Sequence, residues 1–220
     1  MIKISHKYRI YGRTKGRKKN KFIDHNFFND YLINLKKDIN KNKKTILDIG
    51  SGSGENSLFL AKNNSSALII ACDIFQDGNI NLYNNLLKSK INNIKLFTGN
   101  VLKLFDQLKL DYCFNEVWVL FPDPWPKNRH HKRRLIKTSF FKKIHPLLKS
   151  QSKIFISTDS VSYLKSILIN IYNIKSLFRW QNDRPQNWIY ENQNFPQTKF
   201  FIKARDSYRS SIYIELEKIP

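Results

Sequence analysis

Cysteine is nearly absent from this sequence: Cys72 and Cys113 are the two copies in 220 residues. They lie far apart in apolar runs, so there is no C-x-x-C pair and no disulfide framework of the small secreted type. The pattern predicts two buried free thiols in a reducing compartment, with a pairing between them left open. Metal-ligand spacing is missing too. His130 and His131 stand in tandem, which points neighbouring side chains of an extended chain to opposite sides, and no metal is expected. No G-x-S-x-G elbow or other nucleophile motif occurs. No apolar run approaches the roughly 18 residues that would span a bilayer, and residues 1–21 are too basic for a secretion signal. A soluble cytoplasmic protein without membrane contact is the expectation.

Acidic residues are also scarce, 17 against 39 lysines and arginines, which leaves a formal net charge of +22. Such a surplus points to a polyanionic partner, because Lys and Arg neutralise phosphates with release of counterions. The chain is rich in Lys, Asn and Ile together, the usage of an AT-rich genome, so part of the lysine excess is attributable to drift (a hypothesis). Arginine is free of that bias, and its ten copies are clustered: Arg9, Arg13 and Arg17; Arg129, Arg133 and Arg134; Arg179 and Arg184; Arg205 and Arg209. Four basic patches therefore remain. The first belongs to an arm, residues 1–22, whose stretch 3–21 carries nine Lys or Arg and no acid. Self-repulsion keeps such a segment from folding alone, and a phosphate backbone would order it.

Residues 23–220 read as one domain of alternating strands and helices. A helical pattern runs from Asp24 through Phe27, Phe28, Tyr31, Leu32 and Leu35. Strand 45–50 then leads into Gly50-Ser51-Gly52-Ser53-Gly54 and a helix over 56–62. Three of the chain's seven glycines fall in this turn, where they let a ligand approach the backbone and the N–H groups at the helix start. Glu55 occupies the place where the dinucleotide fingerprint needs a small residue, which counts against NAD or FAD. Strand 67–72 ends at Asp73, placed to accept from both hydroxyls of a ribose. A helix through Leu82, Leu86 and Leu87 precedes strand 94–97, and Asn100 follows, read equally as an adenine contact or a turn former. Strand 115–121, helix 136–148, strand 153–157 and helix 161–171 continue the alternation. Residues 176–180 and 212–216 supply the last two strands.

At the end of the fourth strand comes Phe121-Pro122-Asp123-Pro124-Trp125-Pro126-Lys127, followed at once by Asn128-Arg129-His130-His131-Lys132-Arg133-Arg134. Three prolines fix the path and hence the direction of Asp123. Trp125 offers a flat face for packing or for stacking on a base.

The glycine loop, Asp73 and the strand order resemble a Class I S-adenosylmethionine-dependent methyltransferase. That resemblance implies a Rossmann-like α/β fold, a seven-stranded, mostly parallel sheet with one antiparallel strand and helices on both faces. The run F-P-D-P-W-P-K with R-H-H-K-R-R, Thr158-Asp159, Thr198-Lys199-Phe200 and the arm's Tyr11-Gly12-Arg13-Thr14-Lys15-Gly16-Arg17 together resemble bacterial tRNA (guanine(46)-N7)-methyltransferases, which methylate a variable-loop guanine. The resemblance implies S-adenosyl-L-methionine as cofactor, held by Asp48, Gly50, Gly52, Gly54, Asp73, Asn100 and Asp123, with Asp123 at the catalytic position. It assigns the guanosine to Lys127, Asp159, Thr198, Lys199, Phe200 and Phe201. It lays tRNA along Arg129, His130, His131, Lys132, Arg133 and Arg134, the protein acting as a monomer or weak homodimer. This chain departs from the family in having Phe201 where Glu is usual and Asn100 where Asp is usual. Guanine selection is thereby expected to weaken or to pass to Asp159 and Asp123. Two alternatives stand beside this reading. A methyltransferase of exocyclic amines would carry [DNS]-P-P-[YFW], whereas Asp and Pro are exchanged here; a non-catalytic RNA-binding protein on the same fold has Phe201 as its support.

Overall fold

The central strands are read most directly from their composition. Strand β1, Thr45–Ile49, is buried at all five positions, as a parallel strand covered on both faces must be. Side chains alternate across the sheet. Leu47, Ile49, Leu68, Ile70 and Cys72 join one apolar layer, while Ile46, Ile69 and Ala71 join the other. The computed structural model describes residues 8, 11, 12, 14, 33, 34, 37–39, 44–108, 110–192 and 195–219. The helix expected from Asp24 and most of the basic arm lie outside the described residues.

Along the chain, β1 is followed by α1 (Glu55–Asn63), β2 (Leu68–Asp73), α2 (Gln76–Lys88), β3 (Ile94–Thr98), α3 (Val101–Leu108) and β4 (Phe114–Leu120). Then come α4 (Thr138–Ile144), β5 (Leu148–Thr158), α5 (Val161–Tyr172), β6 (Phe178–Trp180), α6 (Lys199–Asp206) and β7 (Ile212–Lys218). The seven strands lie in the order β3-β2-β1-β4-β5-β7-β6. Pairings among β1 to β5 are parallel, and β7 runs antiparallel to both β5 and β6. Helices α3, α4 and α5 bury Leu104, Phe140, Phe141, Tyr163 and Ile167 on one face; α1 and α2 bury Leu60, Leu82 and Leu86 on the other. This is the expected architecture. Cys72 and Cys113 are both buried as free thiols. No helix among the described residues is long and apolar enough to cross a membrane.

Three local expectations shift. The helix expected over 136–148 ends at Ile144 and tightens into the 3-10 turn His145–Leu147, because Pro146 lacks the N–H that would continue it. Strand β5 starts at Leu148 rather than 153, carrying Gln151 at φ 57° and a register shift against β4 between Phe114 and Glu116. Its polar start, Lys149-Ser150-Gln151, hides it in the sequence. Helices α3 and α6 add to the expected elements; each is eight residues long, too short for its apolar face to stand out by periodicity.

Glycine brings the helices close to the loop after β1. Gly54 has φ 90°, and a Cβ there would lie 2.4 Å from Leu82 Cδ1. Gly78, inside α2, has no special dihedral, yet a Cβ on it would come within 2.3 Å of Gly52 O. A glycine in a helix interior costs stability relative to alanine, so its presence marks this close approach. Gly78→Ala is therefore expected to destabilise the protein by about 1–3 kcal/mol through overpacking, against the usual gain for Gly→Ala in a helix. Thermal denaturation checks this; a Tm at or above that of the wild type would show that the loop yields freely.

Candidate active site

The carboxyl ends of β1, β2, β3 and β4 open into a cleft of about 740 Å³. Its floor is the glycine loop. Gly50 has φ 76° and open space where a Cβ would project, and Gly50 and Gly52 both line the cleft. Asp73, at the end of β2, shapes the loop: its Oδ2 accepts from Gly52 N at 2.7 Å and its Oδ1 from Phe75 N at 2.7 Å. Burial holds its carboxyl above the usual range in spite of these two donors. Each oxygen keeps a further lone pair for a ligand hydroxyl. Asn100 also lines the cleft; its Oδ1 accepts from Leu102 N at 2.9 Å, the turn-forming role.

Asp48 is placed differently from the expectation. It is 1% exposed and lies beneath the loop, accepting from Asn56 Nδ2 at 2.9 Å and Ser57 Oγ at 2.5 Å. Burial, only partly offset by these two bonds, lifts its pKa from 3.8 to about 6. Asp48 fastens α1 to β1 under the cleft and does not line it.

Above the floor stands the proline corner. Phe121 and Trp125 have φ of 51° and 43°, a region that non-glycine residues seldom occupy. Asp123, between them, lines the cleft and makes no hydrogen bond or ion pair with the described residues. Desolvation by the cleft walls, and then the charge of Asp73, raise its pKa. Part of the N-terminal arm, expected from its charge on a phosphate backbone, closes the outer side of the cleft. Tyr8, Tyr11 and Gly12 line the cleft. Tyr8 OH donates to Asp106 Oδ2 at 2.8 Å and accepts from Lys143 Nζ, Gln76 N donates to Thr14 O, and Gly12 lies against Asp123. The recurring Tyr and Gly among the arm's cations were the available signal.

The basic tract forms the 3-10 turn Asn128–Arg133. Lys127, Arg129 and Lys132 are exposed. His130 meets Trp125 edge-on, with ring centroids 5.8 Å apart; desolvation and the surrounding cations lower its pKa. His131 is half-buried, and its Nε2 has no partner among the described residues. The Arg133 guanidinium lies 4.9 Å from the Trp125 ring and 5.1 Å from that of Tyr11, a cation–π arrangement. Arg134 departs from its expected place along RNA: it is 4% exposed, with its donors turned inward.

The residues expected around a guanosine divide in the same way. Lys199 and Phe200 line the cleft. Thr198 caps α6, its side chain accepting from Phe201 N. Asp159 is engaged by Arg209 Nε at 2.8 Å. Phe201 is 3% exposed and packs on Tyr190, 4.9 Å between centroids, in a cluster with Tyr213 and Phe195. It faces the core, where an acceptor could not serve a base. Trp180 and Trp188 stack on each other at 5.3 Å and give their N–H groups to Asn182. Among the described residues no group of three His, Cys, Asp or Glu could hold a metal ion.

The arrangement suits a nucleoside-bearing ligand with both apolar and charged parts. Its apolar walls include Ile74, Val101 and Val119, its backbone is bare at Gly50 and Gly52, and its carboxylates are Asp73 and Asp123. S-adenosylmethionine has these features, and the residues present fit it.

Comparison with known proteins agrees. The family model described as "Putative methyltransferase" matches residues 42–212. A tRNA (guanine-N(7)-)-methyltransferase of Hyphomonas neptunium is 31% identical over 71% of this chain and 71% of its own length. One from Wolbachia pipientis wMel is 34% identical over 68% of this chain and 67% of its own. Among solved structures, an rRNA methylase from Streptococcus thermophilus superposes with a TM-score of 0.54 at 16% identity, covering 89% of this chain and 94% of that one. A "putative methyltransferase from streptococcus mutans in complex with SAH" reaches 0.51 at 16% identity, over 89% and 95%. These two likenesses concern the fold.

Asp48 carries a pH test. The folded state holds its proton more tightly than the unfolded chain, so ionising it costs stability, and that loss accrues as pH rises from 3.8 to about 6. The loss is on the order of 3 kcal/mol, at about 1.4 kcal/mol for each pH unit across that window. Denaturant unfolding of wild type and Asp48→Asn across this window is expected to show the variant losing less stability as pH rises. Parallel profiles would mean that Asp48 titrates normally.

Proposed function

The chain belongs to the tRNA (guanine-N7)-methyltransferase family of Class I S-adenosylmethionine-dependent enzymes, and on that premise we propose that it methylates N7 of a guanine in the tRNA variable loop. The observation that carries the reading onto this chain is Asp123, the cleft carboxylate without a hydrogen-bond or ion-pair partner among the described residues, beside exposed Lys127, Arg129 and Lys132. Asp73 accepts from Gly52 N of the loop and Phe75 N of the turn after β2, and Asp159 is paired with Arg209.

Guanine N7 carries an in-plane lone pair, so no base is needed to create the nucleophile. When bound, S-adenosylmethionine supplies an electrophilic methyl group on a sulfonium. Gly50 and Gly52 with Asp73 would hold it, and Val101 and Ile74 would flank its base. The protein's task is alignment and charge. As N7 takes the methyl carbon and the S–C electron pair returns to sulfur, which would leave as a neutral thioether, positive charge develops on the guanine ring, and the Asp123 carboxylate would offset it while accepting from a guanine N–H. Lys199 and Phe200 would frame the base from α6, with the exposed cations of residues 127–132 on the RNA backbone.

A direct test incubates the protein with unmodified tRNA and methyl-labelled S-adenosylmethionine, then digests the RNA. Label is expected in 7-methylguanosine from the variable loop. Asp123→Asn should lower kcat about 10²-fold, the scale for losing one charge-stabilising group. Label in another nucleoside would transfer the reading to a different base, and full turnover by Asp123→Asn with unchanged tRNA affinity would remove Asp123 from its role.

A further inference from the structure

The segment bearing Asp123 has no regular secondary structure from 122 to 127 and includes or adjoins two residues at positive φ, Phe121 and Trp125. Such backbone persists only where its surroundings over-determine it. Prolines limit the path but supply no N–H groups to fasten it. The fastening comes from ten residues further on. Arg134 Nε donates to Pro124 O at 2.8 Å, the carbonyl of the residue after Asp123. From the same guanidinium, Nη1 donates to Ser162 O at 3.1 Å and Nη2 to Ser162 Oγ at 3.0 Å. The guanidinium sits 4.9 Å from the centroid of the Tyr163 ring. Tyr163 is fully buried, and its hydroxyl accepts from Ile136 N at 3.0 Å.

We infer that Arg134 is a positioning residue for the methyl transfer, tying the Asp123 loop to the first turn of α5 through Pro124 O, rather than a contact to RNA. The inference rests on the proposed activity. A planar fork with several donors meets both the loop and the helix at once, whereas a lysine ammonium is a point charge that cannot reproduce that spread. Two adjacent arginines of the basic tract therefore clamp one loop, Arg133 through the Trp125 ring and Arg134 through Pro124 O. A displacement of Asp123 by about 1 Å is enough to cost about 10²-fold in rate.

The test compares Arg134→Lys, Arg134→Gln and Ser162→Ala with wild type in the labelling assay. Ser162 is exposed, so its loss removes one acceptor from the guanidinium without opening the core. Arg134→Lys and Arg134→Gln are expected to lower kcat by about ten- to a hundredfold, with KM for tRNA within about twofold of wild type. Ser162→Ala should show the same pattern at a few-fold. The salt dependence of tRNA binding should keep its slope in Arg134→Gln, whereas removing a phosphate contact would reduce it by about 1. Arg129→Gln, at an exposed position, should give the opposite pattern, a shallower slope and a raised KM. Unchanged kcat in both Ser162→Ala and Arg134→Lys, or a shallower slope in Arg134→Gln, overturns the inference. Absence of transfer by the wild-type protein would instead overturn the proposed activity.

Discussion

Two backbone N–H groups on one carboxylate hold the floor of the cleft. Asp73 collects Gly52 N and Phe75 N, so the loop after β1 and the turn after β2 become one surface. Charge-assisted bonds of this kind are among the stronger that a protein makes. Burial nevertheless dominates and leaves Asp73 above the usual carboxylate range. Asp123 is raised as well, in part by Asp73, and Asp48 feels the same neighbour. Lys199 opposes that trend at Asp73, and Lys132, Lys137 and Lys143 line the same cleft.

Excess positive charge has two destinations here. Lys127, Arg129 and Lys132 face solvent, where they act at a distance on a polyanion. Arg133 and Arg134, next in the chain, turn inward onto rings and carbonyls. Composition could count these groups but could not assign them, because an arginine stem and fork serve a phosphate and a buried carbonyl with the same donors. The 3-10 turn over residues 128–133 decides the outcome by rotating successive side chains to different sides.

The same distinction separates what was legible in the sequence from what was not. Strands β1, β2 and β4 announced themselves through short buried apolar runs, Ile46-Leu47, Leu68–Cys72 and Val117–Val119. The glycine loop and the proline corner were legible because their backbone demands restrict which residue types can stand there, and Asp73 was legible from its place at the end of the second strand. Asp48, Arg134 and Phe201 were read as ligand contacts, yet each is buried among partners distant in sequence: Asn56 and Ser57, Ser162 and Tyr163, Tyr190 and Tyr213. Partner identity is a property of the fold, and residue type alone does not carry it. Gly78 was overlooked for a related reason, since its contact, Gly52 O, lies on another element and leaves no trace in the dihedrals.

Phe201 joins a helix start to the core at one position. It occupies the third helical position after the cap Thr198, where a Glu would reach back to the cap N–H in a capping box. Thr198 still accepts from Phe201 N, so half of that arrangement survives. The phenyl ring, unable to reach back, joins Tyr190, Phe195 and Tyr213, and burying it stabilises α6 by roughly 1.5–3 kcal/mol relative to an exposed ring. Helix α6 therefore keeps its start and its anchorage, which in turn hold Lys199 and Phe200 at the cleft. Because position 201 faces the core, Lys199 and Phe200 are the side chains that α6 presents to the cleft.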